Sequence, residues 1–131
     1  MKNIDHEVVN RSPLTPYDPE TCPIRMVLGG IGDRWSVLVL LGLNGERLRF
    51  GELRYLIPDI SQKMLTQVLR NLERDGLVAR DDRGGFPREV YYAHTELGET
   101  LMEPLFVMAG WAKSNLGAIK ANRRAYDAGQ A

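Results

Sequence analysis

The chain has 131 residues, 44% of them hydrophobic and 26% charged, enough for one ordinary soluble globular domain and too few for two. Seventeen Lys and Arg balance seventeen Asp and Glu, so no global charge demands nucleic acid, and a single cysteine excludes an internal disulfide framework and fits a reducing cytoplasm. No N-terminal apolar run resembles a signal peptide and no stretch is long enough to span a membrane, so no membrane association is expected.

The charge is unevenly placed: residues 22–88 hold eleven Lys and Arg against eight Asp and Glu. Residues 1–21 carry Pro13, Pro16 and Pro19 and read as an extended or disordered arm, with packing on a partner as the alternative. Cys22-Pro23 is a helix start, since proline suits the first helical position and leaves Cys22 as the cap. Ile24, Val27, Leu28 and Ile31 give that first helix a short apolar stripe before the glycines Gly29, Gly30 and Gly32. Asp33 can cap a second helix over Trp35–Leu43, apolar on nearly every side and therefore expected at the centre of the core. Asn44-Gly45 is a turn signal that ends it.

Leu48-Arg49-Phe50 can supply one edge strand, and Phe50, Leu53, Leu56 and Ile57 mark a helix over Gly51–Ile57 that Pro58 stops. Three residues later Ser61 is placed to cap a further helix, closed by Gly76, with Met64, Leu65, Val68, Leu69 and Leu72 on one stripe. Two helices joined so tightly form a helix-turn-helix. The opposite face of the second helix carries Gln62, Lys63, Thr66, Gln67, Arg70, Asn71 and Arg74, donors suited to phosphates and base edges in a major groove. Taken alone, the same helix reads better as a solvated amphipathic one; its neighbours favour the DNA reading.

Leu77–Arg80 reads as a short strand, 82–87 as a turn cluster and Val90–His94 as the returning strand, with Val90 and Tyr92 on one face and Tyr91 and Ala93 on the other. A hairpin after a helix-turn-helix is a wing, and Arg80, Arg83 and Arg88 near its tip can either approach DNA or decorate a plain exposed hairpin. Thr95 can cap the last long helix, whose first turn holds Glu96 and Glu99, and Pro104 is expected to kink it or to begin a separate helix. Its apolar surface, with Leu105, Met108, Trp111, Ala112 and Leu116 prominent, is too wide for one small domain to cover. A second protomer is the economical explanation, a loose end with exposed apolar residues the dull one.

The runs GDRWSVLVLLGL and RFGELRYLIPDISQKMLTQVLRNLERDGLVAR, followed by Thr95-Glu96-Leu97-Gly98, closely resemble the HxlR-type family of bacterial transcriptional regulators, a branch of the MarR-like winged helix proteins. The resemblance covers roughly residues 22–111, and the segment Ile60–Thr66 is its most specific part. It implies a mainly α fold with a small β-hairpin, a winged helix-turn-helix that dimerises through terminal helices. It also implies a homodimer that binds double-stranded DNA at inverted-repeat operators and usually represses a neighbouring gene. Arg34, the basic residue just before Trp35, takes the position of a backbone contact in that family. The DNA-binding set expected here is Arg34, Arg49, Arg54, Ser61, Gln62, Lys63, Thr66, Gln67, Arg70, Arg83 and Arg88. The returning strand departs from the family pattern by a one-residue shift, and His94 stands where an apolar residue is usual.

Several members of the family sense electrophiles or oxidants through a cysteine at the position of Cys22. Those that form an intermolecular disulfide often use further cysteines, which this chain lacks, so a Cys22 switch needs a symmetry mate, a small thiol or direct alkylation. A thiol at a helix start favours thiolate, whereas free cysteine is often just a small apolar filler; a small ligand between wing domain and dimer helices is the rival trigger. Two histidines and one cysteine provide no zinc site and no catalytic set, so neither an enzyme nor a cofactor or metal is expected. The domain layout is an arm over 1–21, a winged helix domain with its dimerisation helix over 22–120 and a mobile tail over 121–131. The expected location is the bacterial cytoplasm, at the nucleoid, and the alternative function is a winged helix serving only as a protein-interaction module.

Overall fold

The computed structural model describes residues 33–130, with Asp18, Pro23 and Val27 as isolated positions before them. The expectations for the N-terminal arm, for the first helix and for Cys22 lie outside the described residues.

Asp33 caps α1 (Arg34–Leu43): its carboxylate accepts the Ser36 amide at 2.9 Å and the Ser36 hydroxyl at 2.9 Å, which lets that serine be buried without an unmet donor. Asn44 ends α1 in the left-handed region, followed by Gly45, as the turn signal implies. The edge strand expected at Leu48 shrinks to a single bridge, because Phe50 already begins α2 (Phe50–Leu56). Next come α3 (Gln62–Arg74), the antiparallel strands β1 (Val78–Gly84) and β2 (Glu89–His94), and α4 (Glu96–Gln130).

The core forms where four helices and the hairpin base converge. Val39, Leu40 and Leu43 of α1 meet Leu53 and Ile57, Ile60, then Leu65, Val68, Leu69 and Leu72 of α3, with Leu77, Val78, Met102 and Leu105 closing it. The stripe of α1 is narrower than expected, since Leu38 is 41% exposed. Leucines buried this fully each contribute about 2–5 kcal/mol against truncation to alanine.

Other boundaries also differ from the sequence reading. Strand β1 runs through Asp81 and Asp82 to Gly84, because arginines on both faces of the hairpin neutralise carboxylates that otherwise signal a turn. The turn itself spans residues 85–88, entered through Gly84 and Gly85, both at positive φ, with a register shift between Asp82 and Gly84. Helix α4 is assigned without a break through Pro104, which is exposed along with Thr100, so water can take the carbonyl that proline leaves unpaired. The same helix continues through Gln130, where a mobile tail was expected from Ala121.

Candidate nucleic-acid interface

Between α2 and α3 the chain turns on two buried isoleucines, Ile57 and Ile60, at 6% and 1% exposure. Anchoring the turn in the core fixes the angle at which α3 leaves it. The Ile57 amide closes α2 on Leu53 O at 3.0 Å, and the Ile60 amide reaches Ile57 O at 3.1 Å. Ser61 then caps α3 by accepting the Met64 amide at 3.0 Å, so this hydroxyl serves the helix start. At the far end Gly76, at φ +77, allows the Leu77 amide to return to Leu72 O at 2.9 Å, a left-handed stop that throws the chain into β1.

Lys63, Gln67, Arg70 and Arg74 recur at i, i+4, i+7 and i+11 along α3 and are all exposed, one continuous outward stripe. Lys63, Arg70 and Arg74 make no side-chain hydrogen bond or ion pair among the described residues, whereas Gln67 donates to Asn71 at 3.0 Å. Gln62 is also exposed, and its carbonyl accepts the Thr66 hydroxyl at 2.9 Å. Two side chains lie elsewhere than the periodicity suggests: Met64 is 40% exposed, not buried, and Thr66 is half-buried. Thr66 sits at the rim of a hollow of about 430 Å³ between α3 and the hairpin, shared with Arg70, Glu73, Arg80 and Tyr92. Arg54 is exposed on α2, and the Arg34 guanidinium lies 4.4 Å from the Trp35 ring centre at the start of α1.

The hairpin carries its arginines in two sets. Alternation along β1 puts Arg80 and Asp82 on one face and Asp81 and Arg83 on the other. Asp82 lies between Arg80, at 3.5 Å, and Arg88, which donates through both Nε and Nη2. Those bonds, then the Gly84 amide, hold its carboxyl near pKa about 2, and the same carboxylate raises the Arg88 guanidinium. On the opposite face Asp81 pairs with Arg83 at 3.1 Å and Arg47 at 3.8 Å. The Tyr91 ring, paired across from Asp81, has Arg47, Arg83 and Arg49 at 4.7, 5.5 and 5.9 Å from its centre. Arg49 also donates to Arg88 O at 3.1 Å. Arg83 and Arg88, grouped together in the sequence reading, thus stand on different carboxylates, while Arg47 and Tyr91 join the site unforeseen. Their one signal is the alternation of Arg47 and Arg49 around Leu48, whose backbone bonds β2 at Tyr92.

Of the residues expected at a dimer surface, Met108, Trp111 and Leu116 are 52%, 59% and 46% exposed, and Ala112 is exposed beside them. Leu105 is corrected: at 5% exposure it packs with Met102 into the protomer's own core, because the base of α4 still faces α1 there. His94 is half-buried, and its Nε2 is 2.8 Å from Leu40 O, a strand residue with a backbone partner. Among the described residues no cluster of His, Cys, Asp or Glu is placed to hold a metal, and no helix is long and apolar enough to cross a membrane.

Residues 30–120 match the model of the HxlR-like helix-turn-helix family. The chain is 39% identical over 113 residues to the uncharacterized HTH-type transcriptional regulator YdeP of Bacillus subtilis (strain 168), covering 84% of this chain and 88% of that protein. It is 40% identical over 104 residues to the uncharacterized HTH-type transcriptional regulator YtfH of Escherichia coli (strain K12), covering 79% and 82% respectively. Its fold is similar to the redox regulator HypR in its oxidized form, with a TM-score of 0.68 and 38% identity over 72% of this chain and 97% of that one. The chain therefore belongs to the HxlR-like helix-turn-helix family of transcriptional regulators, MarR-like winged helix proteins and not enzymes.

Proposed function

We propose that this regulator is a homodimer that binds double-stranded DNA sequence-specifically at an inverted repeat and represses transcription there, in the bacterial cytoplasm. One observation carries the reading: the outward stripe of α3 holds Lys63, Arg70 and Arg74 with no side-chain partner among the described residues, beside Gln67, on a helix whose direction is fixed by a buried turn. Exposed cations left unpaired suit phosphates and guanine edges, and an amide suits adenine. A protein-interaction module has no need of them. Gln62 extends this face at the helix start, Thr66 flanks it, and Ser61 acts through the cap. Arg34 and Arg54 are assigned to backbone phosphates, as are Arg49, Arg83 and Arg88 on the wing side. The second protomer is assigned to the exposed apolar side of α4 at Met108, Trp111, Ala112 and Leu116.

Fluorescence anisotropy with duplexes from the region upstream of its own gene, across a salt series, tests this. Specific binding is expected to be about a thousandfold or more tighter than binding to scrambled duplex and to weaken steeply with salt. Absent or salt-insensitive binding to every duplex would sink it.

For the trigger we infer a thiol response at Cys22, supported by the likeness to a redox regulator. Release of the operator complex by hypochlorite or a quinone should be lost in Cys22→Ser; equal release from both proteins would leave the thiol structural. A small-ligand trigger has one observation in its favour. His94 Nδ1 is buried with no hydrogen-bond partner among the described residues, and His94 lines a hollow of about 250 Å³ with Asn44, Glu99, Met102 and Phe106.

A further inference from the structure

We propose that Arg47, Arg49 and Arg83, gathered on the Tyr91 ring, form one clamp for a backbone phosphate of duplex DNA, with Asp81 occupying the phosphate's place until DNA arrives. The inference rests on the DNA-binding reading above and adds to it a site joining the helix-turn-helix to the wing.

The three guanidinium groups come from two separate parts of the chain. Arg47 and Arg49 precede α2, and Arg83 stands near the hairpin tip, yet all three lie within 6 Å of one ring centre. A guanidinium resting its face on an aromatic ring points its edge N–H groups outward, in the fork that suits a phosphate. Here those edges meet Asp81 from Arg47 and Arg83 and the Arg88 carbonyl from Arg49. The ring also restricts these long side chains beforehand, so less freedom is lost when an anion binds. Like charges gathered this closely need an anion between them, and among the described residues Asp81, opposite Tyr91 in the strand pairing, is the carboxylate that pairs with Arg47 and Arg83. Three guanidiniums and one carboxylate leave a net charge of two positives; the nearby Glu52 carboxylate is engaged at the Arg49 amide, 2.9 Å away.

The two aspartates of the hairpin differ in how firmly they are held. Asp82 is fixed by Arg88 and by the Gly84 amide. Among the described residues Asp81 has two ion pairs, both half-exposed, with side chains of Arg47, Arg83 and Asp81 at 49%, 48% and 50% exposure. Pairs of that kind contribute little and are exchanged readily. A phosphate, carrying more acceptor oxygens than Asp81, can reach Arg47, Arg49 and Arg83 together.

The test measures anisotropy of the full chain and its variants on the upstream duplex and on a scrambled duplex of equal length, each over a salt series. Tyr91→Leu and Arg47→Gln are expected to weaken both duplexes alike, by roughly threefold to tenfold, with a salt slope lower by about one. Tyr91→Phe should bind as wild type, because it keeps the ring. Asp81→Asn should tighten both duplexes by about threefold, since the arginines then meet phosphate without a competitor. Arg47 is exposed, so Arg47→Gln decides the matter should Tyr91→Leu fail to fold. Wild-type affinity and slope in Arg47→Gln, or weaker binding in Asp81→Asn, overturns the clamp alone. A wild-type chain that binds neither duplex overturns the DNA-binding reading with it.

Discussion

Gly98 of α4 lies against the carbonyl of Leu77, so close that a methyl group on Gly98 would collide with that oxygen. The same carbonyl accepts the Thr95 amide at 3.1 Å, and the Thr95 hydroxyl caps α4 at the Gly98 amide at 3.0 Å while donating to Gly76 O at 2.5 Å. Through this junction the end of α3 is tied to the start of α4 over a few bonds. Gly98→Ala is therefore expected to lower stability by about 1–3 kcal/mol, as overpacking does, and to shift the thermal midpoint downward. A midpoint unchanged in Gly98→Ala would show that the junction yields without cost.

The division of labour proposed for the DNA side rests on where the side chains stand. Gln67 projects from the middle of the exposed stripe of α3, whereas Arg34 sits on Trp35 at the start of α1. Gln67→Ala is expected to relax preference among related operator sequences, with each base pair once read by it losing about 1–3 kcal/mol of discrimination. Arg34→Ala should weaken all duplexes alike and flatten the salt slope by about one. Identical effects of the two substitutions, measured on a panel of single-base variants, would remove the distinction.

Much of this arrangement was legible in the sequence because it is written in local bonds. Asp33, Ser61 and Thr95 each accept an amide three residues ahead, and Gly76 takes the left-handed turn that its position implies. Those interactions need no knowledge of the rest of the fold. The misread features depend on partners distant in the chain or on competing local preferences. Asp81 and Asp82 look like turn residues until cross-strand arginines are known to hold them. Leu105 shares a stripe with Met108 and Leu116, and periodicity alone does not say which apolar residue meets its own core and which faces outward. Beyond Ala121, alanines and arginines with good helix propensity outweigh Gly129. Arg47 and Tyr91 are over forty residues apart, and the Leu48 bridge to β2 brings them together.

Correcting Leu105 separates two substitutions that the sequence would treat alike. Trp111, 59% exposed, touches little of its own domain, so Trp111→Asp should yield a folded monomer by sedimentation and lose operator affinity, because two linked reading helices about 34 Å apart are needed for a symmetric site. Leu105, 5% exposed, belongs to the core, and Leu105→Ala should lower stability by about 2–5 kcal/mol whatever the state of association. Circular dichroism melts at several protein concentrations distinguish the two, since dimer dissociation makes the midpoint concentration-dependent. A wild-type chain that stays monomeric at micromolar concentration while binding half-sites tightly would contradict the dimer.

The firm pair of the hairpin gives a pH signature of known sign. Asp82 is held at about 2 in the folded chain against an ordinary value of 3.8, first by the Arg88 hydrogen bonds and then by the Gly84 amide. A carboxylate more acidic when folded stabilises the fold above its unfolded value, and that contribution fades as the pH falls from about 4 toward about 2. Asp82→Asn removes the titrating group, so its thermal midpoint should fall less steeply than wild type across that acid window. Above pH 5 the variant should be less stable by a pH-independent offset, small because the pair is exposed to solvent. Melts of both proteins from pH 2 to 7 check this, and parallel curves throughout the acid range would mean that Asp82 titrates alike in the folded and unfolded chains.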